Sequence, residues 1–199
     1  MKFRILILPL LLLASLAFAQ TKSPTGTSAV AAREAEGILT KGRQLDLLNQ
    51  ILPVLMTKPQ LKLILPAIER ARSAVRKVES DELLVLRGLE KEFDVLLKEA
   101  FEKGRVPTNG EMEKIFKRYQ EMNLVRLEVS SANAEEVEVI LRKNLNAGQL
   151  KAAQNALQPN RYDRGLDPTK MTDEQKLRFW VRMVLLDPLA YDLLVKLTR

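Results

Sequence analysis

Apolar residues recur along most of this chain at steps of three and four, the spacing of a helical face rather than the alternation of a strand. A first helix is predicted from about Val30 to Leu55. Leu45, Leu48, Leu52 and Leu55 form its stripe, Gly37 and Gly42 weaken its start, and Pro53 bends or ends it. The main helix is predicted from Lys58 to about Glu102, with a kink near Leu63–Pro66. Ser80-Asp81-Glu82 offers a second helix start, which leaves open whether this element is one helix or two. Leu86, Leu89, Phe93, Leu96 and Ala100 keep the rhythm of a coiled-coil-like seam against a partner helix. Gly104 closes the element and Pro107-Thr108-Asn109-Gly110 makes a turn. The next helix is expected from near Glu111 to about Asn144, with Met112, Ile115, Tyr119, Met122, Val125 and Val129 as its stripe. Two long helices joined by a short turn predict an antiparallel hairpin.

Three stretches carry the signature of a capping box, in which a cap side chain and the residue three positions on satisfy each other's backbone N–H. They are Thr57 with Gln60, Asn146 with Gln149, and Thr172 with Gln175. Met56/Leu61 and Leu145/Leu150 add a hydrophobic staple to the first two. Asn146 therefore opens a short helix to about Leu157, stopped by Gln158-Pro159-Asn160, with a loop from Arg161 to Lys170. Thr172 opens another helix to Leu186, and Asp187-Pro188 starts a last one running to the C-terminus. The predicted fold is all-α: a long antiparallel hairpin with a preceding helix and a short C-terminal helical cluster.

Composition narrows the chemistry. The 199 residues include no Cys and no His, which removes thiol chemistry, disulfides, imidazole bases and nearly every zinc site. No glycine-rich phosphate loop or convergent acidic site appears, so no catalytic residue, cofactor or metal is assigned. Lys2 and Arg4 precede the apolar run Ile5 to Leu13, and Ala17-Phe18-Ala19 fits a cleavage site. Residues 1–19 read as a signal peptide and 20–29 as a flexible mature N-terminus. The run is short for a membrane span, so no stable span is expected after cleavage. Cleavage takes the formal charge from +7 to +5. Export sets nucleic acid aside and leaves acidic proteins, anionic lipid or anionic wall polymers as partners for that basic charge.

Met56-Thr57-Lys58-Pro59-Gln60 and Leu145-Asn146-Ala147-Gly148-Gln149, behind an export signal, resemble the two motifs of the LTxxQ-motif family of bacterial periplasmic proteins, the Spy- and CpxP-like proteins. The likeness covers about Leu45 to Leu157. Met56 stands where the family has Leu, and Asn146 where it has Thr. The resemblance implies a thin, all-helical domain over residues 30–158, with 159–199 as a C-terminal extension. It further implies periplasmic location, a homodimer, no cofactor, and unfolded or acidic envelope proteins as clients. Two functions follow: an ATP-independent chaperone or stress-response accessory, or a structural or regulatory adaptor for one folded envelope partner.

Arg70, Arg72, Arg76 and Lys77 form the densest basic cluster of the main helix. They are a candidate client-binding strip; the alternative is a solvated face paired with Glu69 and Glu79. Leu61, Leu65 and Ile68 beside them are expected in the core. Glu135, Glu136 and Glu138 are expected on the solvated side of their helix. Asp163 and Asp167 flank Gly165 without the spacing or closing Glu of a calcium loop. Trp180, with Leu177, Val181, Val184 and Leu185, is expected to anchor the C-terminal helices onto the hairpin.

Overall fold

The computed structural model describes residues 29–157, 162 and 165–199. The signal peptide, the polar lead-in to Ser28, the Gln158–Asn160 stop and Asp163 lie outside the described residues. The chain divides into two compact units, residues 1–42 and 43–199. The described part of the first unit, residues 29–42, is helical.

Six α-helices and no strand occur among the described residues. They are α1 (Ala29–Ile51), α2 (Lys58–Lys103), α3 (Asn109–Asn144), α4 (Ala147–Ala156), α5 (Asp173–Trp180) and α6 (Ala190–Leu197). A 3-10 turn, Leu52–Val54, follows α1, where Pro53 removes a backbone donor. Helix α2 runs unbroken through both Pro66 and Ser80, so the main element is one helix of 46 residues. It packs along α3 as the expected hairpin.

The core lies at one end of that hairpin. Leu61, Ile64 and Ile68 of α2 and Ala134, Val137 and Leu141 of α3 are buried there with Leu145 and Ala153. Both members of each staple pair belong to this cluster. The C-terminal segment covers it: Leu177, Trp180, Val181, Val184 and Leu185 are each fully buried. The Trp180 indole N–H donates to the carbonyl of Gln50 at 3.3 Å, which ties α5 to the end of α1.

Several expectations are corrected. The buried stripe near the first turn is Leu47, Ile51 and Val54, whereas Leu45, Leu52 and Leu55 are exposed. Leucines occupy both faces of this segment, so periodicity alone does not select one. Helix α3 starts at Asn109, two residues early, because Thr108 and Glu111 form a fourth capping box, with Thr108 N–H to Glu111 Oε2 at 2.8 Å. Helix α5 gives way at Val181 to a π-turn, in which Leu186 N–H donates to Val181 at 2.9 Å. Asp187 is not the cap of the last helix: it accepts the Leu189 N–H at 2.8 Å in a turn, and α6 begins at Ala190 with Leu189 before it and no side-chain cap. Asp187 is also held by Arg43, whose Nε donates to Oδ2 at 3.1 Å. Glu138 is not solvated: it is 3% exposed and accepts from Arg142 and Arg178, both at 2.9 Å.

Candidate interaction surfaces

Thr57, Asn146 and Thr172 each cap as their spacing predicts, and their partners Gln60, Gln149 and Gln175 reach back to the cap N–H. The first two boxes do more. Gln60 Nε2 donates to Gln149 Oε1, and Gln149 Nε2 donates to Gln60 Oε1, both at 3.0 Å. The remaining donors are used in the same way on each side. Gln60 Nε2 also donates to the Asn144 carbonyl at 2.8 Å, and Gln149 Nε2 to the Leu55 carbonyl at 2.9 Å. Each carbonyl lies two residues before the opposite cap. The two boxes thus form a local pseudo-twofold clasp that joins the start of α2 to the end of α3. Because each Oε1 already accepts its own cap N–H, the orientation of both amides is dictated. Leu55 sits in the left-handed region at φ 53°, a conformation a non-glycine residue adopts at a cost of roughly 1–2 kcal/mol. The clasp on its carbonyl helps hold it there.

Three of the four residues of the basic strip are engaged with other side chains of the chain. Arg70 pairs with Glu136 at 2.6 Å, and Arg76 with Glu69 at 2.7 Å. Arg72 pairs with Glu69 at 3.3 Å and lies 4.4 Å from the centre of the Tyr191 ring, a cation–π contact. Arg76 beside Glu69 holds that carboxyl below its ordinary range. Lys77 is exposed. The four residues share a stretch of α2, but two carboxylates, Glu69 and Glu136, offset half of their charge.

The far half of the hairpin presents a different surface. Within it only Val78, Glu82 and Leu89 of α2 and Ile115 of α3 are buried. Glu82 forms a bidentate ion pair with Arg126, which raises the Arg126 pKa. At the tip Gly104 takes the left-handed conformation at φ 64°. Arg105 then grips Glu99 through Nε at 2.7 Å and Glu111 through both Nη atoms at 3.1 and 2.9 Å. The Arg105 guanidinium, with the Thr108 N–H and hydroxyl, holds the Glu111 carboxyl down to about 2. Between these fastenings large apolar side chains stand open: Phe101 is 84% exposed, Phe116 54% and Leu97 53%. On the opposite edge, an open hollow of about 410 Å³ is lined by Lys91, Glu92, Val95, Leu96, Glu111 and Lys114.

Neither the clasp nor the open apolar line was singled out from sequence. The signal for the clasp was two boxes at the two ends of one hairpin, which places their glutamines at the same level. The signal for the open line was a second set of leucines and phenylalanines beyond those needed for the seam. No family model, curated protein or solved structure matches the chain, so the likeness to the LTxxQ-motif proteins rests on the residues of its two boxes.

Proposed function

We propose that this chain is a non-catalytic protein-binding protein of the envelope: an exported, ATP-independent chaperone or stress-response accessory. The observation that supports this is the half-length of hairpin whose apolar side chains have no cover, Phe101, Phe116 and Leu97 among them. Contiguous exposed apolar surface of that kind marks protein-interaction sites. The box motifs and the N-terminal export pattern favour the same reading. An aggregation assay tests it. Wild-type chain without nucleotide suppresses light scattering by unrelated denatured clients; no suppression refutes the chaperone.

The paired arginines favour a second reading, an adaptor for one folded partner, because a strip with half its charge offset steers unselected chains less strongly. An adaptor ignores denatured clients and captures a single envelope protein. Replacing Arg70, Arg72, Arg76 and Lys77 by Gln separates the strip from the apolar arm. Retained suppression by that variant assigns binding to the arm, and lost suppression with an intact fold assigns it to the strip.

A further inference from the structure

One line of α2 runs from the core onto the open arm. Leu61, Leu65, Ile68 and Arg72 follow steps of four, three and four, and lie under the C-terminal cluster, with Arg72 against Tyr191 of α6. The same steps continue through Val75, Glu79, Leu83 and Leu86, then Glu90, Phe93, Leu97 and Phe101. On α3 the matching line is Phe116, Tyr119, Asn123, Leu127, Ser130 and Ala134, and Ala134 is buried in the core. The face that the C-terminal helices cover at one end is therefore the face left bare at the other. What covers it internally is an amphipathic helical segment: α6 turns Leu194 fully inward.

The α2 part of the arm carries an excess of acid: between Glu79 and Phe101 seven carboxylates face three cations, Arg87, Lys91 and Lys98. Glu79 and Glu90 on the line and Asp94 beside it are exposed, and no hydrogen bond or ion pair holds them among the described residues. Of the cations near them, Arg126 is taken by Glu82 and Arg76 by Glu69, while Arg87, three residues before Glu90, and Lys91 and Lys98, three before and four after Asp94, make no ion pair with them. The α3 edge is uncharged at Gln120, Asn123, Ser130 and Ser131.

We infer that the bare face of the hairpin docks a basic amphipathic helix of a partner protein, its apolar stripe along Leu83–Phe101 and its Lys or Arg flank against Glu79, Glu90 and Asp94. This rests on the protein-binding reading above and specifies its partner. An apolar line with unpaired carboxylates on it and beside it matches such a helix, as the apolar side of α6 matches the covered end, and the acid excess favours basic flanks. It also reverses the expectation of acidic clients that the basic net charge alone suggests.

Leu83 to Phe101 spans about 27 Å at 1.5 Å per residue, so the probes are labelled helical peptides of about 18 residues. They share one leucine stripe and carry either Lys or Glu flanks. Fluorescence anisotropy with the full chain at low salt is expected to show at least about tenfold tighter binding of the Lys-flanked peptide. Glu90→Lys with Asp94→Lys inverts that ranking, and Leu86→Ser with Leu97→Ser weakens both peptides. All four positions are exposed, so these variants keep the fold, which circular dichroism checks. Equal binding of the two peptides by a chain that still suppresses aggregation overturns the partner chemistry and spares the protein-binding reading. Binding of neither peptide nor client overturns both. Self-association that Leu86→Ser with Leu97→Ser abolishes overturns the proposal by giving the face to a second copy of the chain.

Discussion

Gln149→Glu separates capping from clasping. In a simple capping box Glu serves as well as Gln, and a carboxylate in the first turn interacts favourably with the helix dipole by about 0.3–1 kcal/mol. The clasp demands the opposite. Gln149 Nε2 donates to the Leu55 carbonyl at 2.9 Å and to Gln60 Oε1 at 3.0 Å, and Gln60 Oε1 is pinned by the Thr57 N–H at 2.9 Å. A carboxylate puts an acceptor against two acceptors. Both deprived groups are only partly buried, so each costs about 1–2 kcal/mol and the variant is expected to lose about 1–3 kcal/mol after the dipole gain. At this chain size that lowers the melting midpoint by roughly 2–12 °C. Gln175→Glu is the control: among the described residues its side chain hydrogen-bonds only with Thr172, so its stability stays within about ±0.5 kcal/mol. Thermal and urea melts by circular dichroism at 222 nm compare the two. The fold raises the pKa of the introduced carboxyl, because its ionised form faces acceptors. The deficit is therefore smallest below about pH 4.3 and grows as pH rises through the raised value. Equal melting of the two variants would refute the clasp as a stabilising unit.

Glu138→Ala is expected to cost about 1–3 kcal/mol by urea denaturation, less than a fully buried pair, because Arg142 and Arg178 are 43% and 39% exposed and can turn to water. Glu111, held to about 2, contributes tip stability that is present above the ordinary carboxyl range near 4.3 and is lost as pH falls toward 2. Carbon-13 NMR titration of its carboxyl should give a midpoint near 2, moved upward by Arg105→Gln; a wild-type midpoint near 4 contradicts the clamp. Gly104→Ala should cost about 1 kcal/mol in a melt, all of it from the backbone, since a Cβ there meets nothing within 4 Å. Amide exchange should be faster at Leu84–Phe101 and Phe116–Leu127 than at Ile64–Ala71 and Val137–Leu141; uniform protection would contradict a core confined to one end.

Helix starts were legible because they are written locally. A Thr or Asn with Gln three residues later needs no tertiary knowledge to be read, and Gly104 announced its own end. Thr108 and Glu111 carried the same code, but the Asn109-Gly110 dipeptide beside them reads equally well as a turn. Choosing between faces was harder. Leu45, Leu48, Leu52 and Leu55 make a sound stripe, yet Leu47, Ile51 and Val54 make another. Only the arrival of Trp180, 130 residues later, decides which is buried. Glu138 failed for a similar reason. It sits beside two solvated glutamates, and its burial depends on Arg178 approaching from α5, a separation of 40 residues. The Gln60–Gln149 pairing spans 89 residues and was equally invisible to local pattern.

The two halves of the hairpin are held by different forces, and this follows from where the large apolar residues find partners. At the core end, α2 and α3 are joined by buried side chains and a third layer, the C-terminal cluster, completes their cover. Along the arm there are two layers and no third, and a two-helix pair cannot bury both of its apolar faces. Order there comes from a thin apolar seam, Val78, Leu89 and Ile115, and from polar fastenings: the Glu82–Arg126 pair midway, the Arg105 clamp and the Thr108 box at the tip. Fastening by charge at fixed points frees the face between them from a structural duty. Leu83, Leu86, Leu97 and Phe101 can then stay exposed without the helices losing register. Converting these residues to polar ones should leave the hairpin formed, which is the behaviour of a binding face and not of a core.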